Sequence, residues 1–84
     1  MDELREQLAA LEHDRWSRWM MHLFNKSTEH SDGHVEIPPE LVLRWKRQID
    51  TPYPDLSESE KDSDRAEADK TLNVVARFNN RHLA

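Results

Sequence analysis

Leu4, Leu8 and Leu11 recur at helical spacing from the start of the chain. Trp16, Trp19, Met20 and Leu23 carry the stripe onward with a slight drift around the axis. This pattern predicts a first helix over residues 2 to about 24. Its middle reads EHDRW, and Glu12 keeps the spacing of Leu8, Trp16, Trp19 and Leu23, so a carboxylate falls on the aromatic face. Two readings of Glu12 stand side by side: a partner in a site, or a solvated edge residue bridging to a neighbouring arginine. The pattern then lapses. Residues 25–36 carry Ser27, Thr28, Ser31, Asp32 and Gly33 and predict a long polar loop, with Val35 and Ile37 at most a very short extended piece. Pro38 and Pro39 suit a helix start, and a second helix is expected over 40 to about 49. Leu41, Val42, Trp45 and Ile49 mark its apolar face, and Arg44, Lys46 and Arg47 the others.

Residues 52–65, PYPDLSESEKDSDR, organise the second half. Two prolines around Tyr53 force an extended or turning segment. Ser57 and Glu60 have the spacing of a capping box, and Asp55, Glu58, Glu60 and Asp62 crowd a helix start that favours negative charge. A third helix is expected from 57 to 78 or beyond, with Asn79, Asn80, Arg81 and His82 as a fraying end. Lys61, Arg65, Ala68, Leu72 and Val75 are spaced 4, 3, 4 and 3 and share one face. That stripe is expected to face the core, so two cations at its upstream end must either pair with buried acids or meet a ligand at a pocket rim. The predicted architecture is all-α: a small three-helix domain with a long polar loop after helix 1 and an extended Pro-Tyr-Pro segment before helix 3.

At 84 residues the chain is one domain, its core spanning about 4–78. It contains no cysteine and no apolar run long enough for a bilayer, so a cytoplasmic, non-membrane protein is expected. The net charge of −5 argues against general nucleic-acid binding. A single glycine, Gly33, leaves no glycine-rich phosphate loop.

The candidate chemistry points to binding rather than catalysis. Ser57, Ser59 and Ser63 have no local histidine partner, and Glu12, His13 and Asp14 point in different directions as consecutive helical residues. His30 and His34 lie beside a turn and lack a second ligand pair, so no metal and no cofactor is expected. Trp16, Trp19, Trp45 and Tyr53, by contrast, are a large aromatic share for so short a chain, and rings beside Arg or Lys suit a nucleotide's base and phosphate. The tryptophans equally suit a core.

The motifs together resemble the ryanodine-receptor repeat (RyR) domain family, in its short stand-alone bacterial and phage form. Pro52, Tyr53, Leu56, Lys61, Asp64 and Arg65 match the family's second half without a gap, and His13 and Trp16 after Leu8 and Leu11 match its first helix. Phe24 and Asn25 stand where the family has Gly-Trp and Tyr-Gly, and 37–49 looks like a full helix where the channel repeats have a shorter basic loop. The resemblance implies a peripheral, non-enzymatic module associated with nucleotide binding, and implicates His13, Trp16, Tyr53, Lys61, Asp64 and Arg65.

The expected function is therefore binding of a nucleotide or nucleotide-like anion in a pocket lined by Trp16 and Tyr53, with Lys61 and Arg65 meeting the phosphate. His13 joins the site, and Glu12 and Asp64 orient the cations. The alternative is a protein-interaction module, self-associating in its simplest form as a homo-oligomer. There an exposed Trp45 flanked by Arg44 and Arg47 would be the hot spot.

Overall fold

The structure, a computed structural model, describes residues 2–83 and the side chains of residues 3–81. Three helices carry almost the whole chain: α1 (Asp2–Lys26), α2 (Pro39–Asp50) and α3 (Glu58–Leu83). A small antiparallel hairpin, β1 (Thr28–Glu29) with β2 (Val35–Glu36), joins α1 to α2, and one 3-10 turn (Tyr53–Asp55) joins α2 to α3. The expected three-helix, mostly α architecture is the one observed.

Local chemistry sets the ends of these elements. Ser27 stops α1 by donating its hydroxyl to the Leu23 carbonyl at 2.7 Å. The expected loop is partly ordered as the hairpin, in which Thr28 faces Glu36 and Glu29 faces Val35. Gly33, at φ +94°, makes its turn possible, because that left-handed backbone disfavours any side chain. Pro39 opens α2, and the Thr51 hydroxyl closes it on the Arg47 carbonyl at 2.6 Å. At the start of α3 the capping box forms in both directions. The Ser57 amide donates to Glu60 Oε1 at 3.0 Å, and the Glu60 amide donates to Ser57 Oγ at 3.2 Å.

Antiparallel packing of α1 on α3 is fixed by two polar cross-links. Arg81 reaches Glu3 at 2.8 Å at one end. At the other, Arg15 and Arg18 converge on Glu67, with Arg18 forking both carboxylate oxygens at 2.6 and 3.2 Å. The expected fraying after Phe78 is therefore corrected: Asn79, Asn80 and Arg81 are helical, and Arg81 anchors the end it was expected to loosen.

The inner face of α3 also differs from expectation. The half-buried positions are Glu60, Lys61, Glu67, Thr71, Val74, Val75 and Phe78, while Arg65, Ala68 and Leu72 face solvent, Leu72 at 63% exposure. Polar Glu67 and Thr71 take inner places because Arg15 of α1 bonds to both. Among the described residues none is fully buried. The Cα radius of gyration is 17.1 Å, against about 12 Å for a compact chain of this length.

Candidate functional site

α2 lies across the C-terminal half of α1 and the first turns of α3, held by two kinds of contact. One is aromatic. Trp45 meets Trp19 edge-on, with ring centroids 5.4 Å apart and planes at 69°, and His22 stacks on Trp19 at 5.2 Å. The other is ionic, Arg47 to Glu60 at 2.7 Å. That arginine, with the Ser57 amide and hydroxyl, holds the Glu60 carboxyl down at about 2.

The three helices leave an open groove of about 1110 Å³ between them, slightly larger than the roughly 300–1,000 Å³ of small-molecule clefts. Trp16, Trp19, His22 and Trp45 give it an aromatic floor. Arg15, Arg18, Lys26 and Arg44 bring positive charge from α1 and α2, and Glu60, Asp64 and Glu67 bring negative charge from α3. Most of these charges are already used. Glu67 takes Arg18, Arg15 and Lys70, and the Arg18 hydrogen bond above all lowers its carboxyl to about 2. Glu12 takes Arg15 at 2.8 Å. Lys26 and Arg44 carry no ion pair among the described residues, and neither does Asp64. The groove thus offers four rings, two uncommitted cations and one uncommitted carboxylate.

The residues singled out from sequence are divided between two places. Glu12, Trp16 and Asp64 line the groove, as do Arg44 and Trp45. Tyr53, Lys61 and Arg65 gather outside it, at the start of α3. There the Lys61 ammonium lies 5.9 Å from the centre of the Tyr53 ring, and Arg65 bonds Asp62 at 2.8 Å and Glu58 at 3.1 Å. Arg65 holds the Glu58 carboxyl below its ordinary range. The two α3 cations are therefore satisfied by exposed acids of their own helix, and neither needs a buried acid or a ligand. His13 stacks on Trp16, ring centroids 6.0 Å apart, but does not itself line the groove.

Three further expectations are corrected. Glu12 does not orient Lys61 or Arg65; it pairs with Arg15, the bridging alternative, and is exposed. Asp64 makes no ion pair with them either. Trp45 is not an exposed hot spot, because its ring turns inward onto Trp19, and Arg47 is committed to Glu60. Sequence reasoning missed Arg15, Arg18, His22 and Lys26 as groove residues. A signal existed for three of them: Arg15, Trp19, His22 and Lys26 follow one another at spacings of 4, 3 and 4 along α1.

No protein-family model, curated protein or solved structure matches the chain.

Proposed function

We propose that the chain is a small non-enzymatic binding domain that takes a nucleotide or nucleotide-like anion in the three-helix groove, as a sensor or sequestering protein. One observation carries this reading: Lys26 and Arg44, both without an ion pair among the described residues, border a floor of stacked and edge-packed rings. A base stacks on indole, a phosphate takes two cations, and Asp64 accepts from a ring N–H or a ribose hydroxyl. The resemblance to RyR repeats supports the same ligand class, although Tyr53, Lys61 and Arg65 stand outside the groove. A cytoplasmic setting is part of the same proposal.

A thermal-shift screen against mono-, di- and cyclic nucleotides tests the reading. A ligand at about 100 times its Kd adds about 2.7 kcal/mol, raising Tm by roughly 10 °C or more in a domain this small. Arg44→Ala should weaken binding about 10- to 100-fold by removing a charged hydrogen-bond donor. Arg65→Ala should leave it unchanged. No shift across the panel, or a shift indifferent to Arg44→Ala and Lys26→Ala, overturns the proposal.

A second reading, a protein-interaction module, is favoured by a different observation: among the described residues no side chain is fully buried. That is an unusual state for a folded domain to occupy alone.

A further inference from the structure

α2 has 12 residues and spans about 18 Å, while α1, with 25, spans about 38 Å. Trp45 and Arg47 fix α2 over Trp19 and Glu60, so it covers only the groove end of the α1/α3 pair. Beyond the Glu67 cluster the two long helices pack chiefly on each other. Between the two polar cross-links, Glu3 with Arg81 and Arg15 with Glu67, lie Leu4, Gln7, Leu8 and Leu11 of α1 and Thr71, Val74, Val75 and Phe78 of α3. All eight are half-buried, and none is charged.

We infer that this uncharged seam is the interface of a homodimer, in which the α1/α3 pairs of two copies close a four-helix bundle. The inference rests on the interaction reading and names its partner. Area argues for it. The chain exposes 6808 Å², about 1,600 Å² more than the roughly 5,200 Å² expected of a compact monomer of its 10.0 kDa. A stable interface needs about 800 Å² from each partner, and obligate homodimers bury about 2,000–5,000 Å² in total. That excess belongs to the whole elongated chain, and a stable dimer needs only about half of it, drawn from the seam and the exposed residues that flank it. Charge argues for the same occupant. A two-fold axis brings a face against its own copy, so a charged stripe would meet like charge, and this stripe carries none. Two antiparallel helices with an open apolar seam are half of a four-helix bundle, and pairing is a common way for small domains to complete a core.

Sedimentation equilibrium over a concentration series tests the inference, and thermal melts at two well-separated concentrations accompany it. The expected result is a mass about twice 10.0 kDa, with a Tm that rises with protein concentration. Leu8→Asp should weaken association roughly 1,000-fold, since each copy loses a central anchor and the loss counts twice. Leu43→Asp, on an exposed α2 position outside the seam, should leave association intact. If Leu8→Asp does not fold, the concentration dependence of the unmutated chain decides alone. A helical monomer whose Tm ignores concentration overturns the dimer. If that monomer binds anilinonaphthalene sulfonate until Leu8→Asp removes the dye, the dimer fails while the interaction reading survives. A monomer that binds no dye ends both.

Discussion

Trp45→Ala removes the ring contacts to Trp19 and His22 that dock α2, and its cost can be worked from the geometry. The half-buried indole covers about 150 Å² of apolar surface, worth about 3 kcal/mol at 25 cal/mol per Å² once the area alanine retains is allowed for. The edge-on arrangement with Trp19, at 5.4 Å and 69°, adds about 1 kcal/mol. The whole domain has about 4–13 kcal/mol to lose, so the substitution threatens a large fraction of its stability. The loss should be local first, because the polar ties that remain to α2 converge on one residue, Glu60, from Arg47 and Gln48, whereas α1 and α3 keep both of their cross-links. Hydrogen exchange followed by mass spectrometry reads this directly. Amides of 39–50 should lose protection by roughly 100- to 1,000-fold while those of α1 and α3 change far less. A double-mutant cycle of Trp19→Leu with Trp45→Leu should return a coupling of about 1 kcal/mol. Unchanged protection in α2, or a coupling near zero, would show that the indole pair does not dock the helix. Ligand affinity should fall with α2 protection, because Arg44 rides on the same helix.

Two other outcomes follow from α3. Glu60 and Glu67 have carboxyl pKa values lowered from 4.5 to about 2 by their arginine partners, so the stability they supply is present above the unfolded value and is lost as pH falls from about 4.5 towards 2. Melts between pH 7 and pH 2 should show that decline, and Glu67→Gln should flatten it; an unchanged acid limb in the variant refutes the assignment. Ser57→Ala deletes half of the capping box and should cost about 1 kcal/mol, lowering Tm by about 4–8 °C, measurable by circular dichroism.

What was legible in the sequence is what local chemistry decides. The cap at Ser57 and Glu60, the Pro39 start of α2 and the turning Pro52–Tyr53–Pro54 segment need only neighbours a few residues away, and all three occur. The hairpin was half visible, since Val35 has β character but its partner strand is Thr28 and Glu29, two polar residues without any pattern. The inner face of α3 was the chief misreading. Lys61, Arg65, Ala68, Leu72 and Val75 form a sound helical row, but so do Glu60, Glu67, Thr71, Val74 and Phe78 at spacings of 7, 4, 3 and 4. Hydropathy alone cannot choose a row containing glutamate. Arg15 and Arg18, about fifty residues away in sequence, make the choice by bonding Glu67. The candidate site moved for the same reason: once α3 turns, Arg65 leaves the interior and its place on the groove wall falls to Asp64.

That polar cluster explains why the two halves of the molecule can serve different ends. A seam of Leu, Val and Phe tolerates sliding, because an apolar stripe meets another apolar stripe again after a turn or two. Glu67 does not tolerate it. Its two carboxylate oxygens accept from the two Arg18 guanidinium nitrogens, and Arg15 spans Glu12, the Glu67 side chain and carbonyl, and Thr71; this set of bonds exists in one alignment of α1 on α3. A slip of one turn, 5.4 Å along the axis, would break the set and carry Trp19 away from the Trp45 that α2 presents while α2 stays tied to Glu60. Polar contacts that cost desolvation are best justified where they select a register. Here the register determines both the row of uncharged residues beyond Arg15 and the ring-floored groove beside Arg18, so the cluster between them is the point at which specificity was favoured over a larger apolar core.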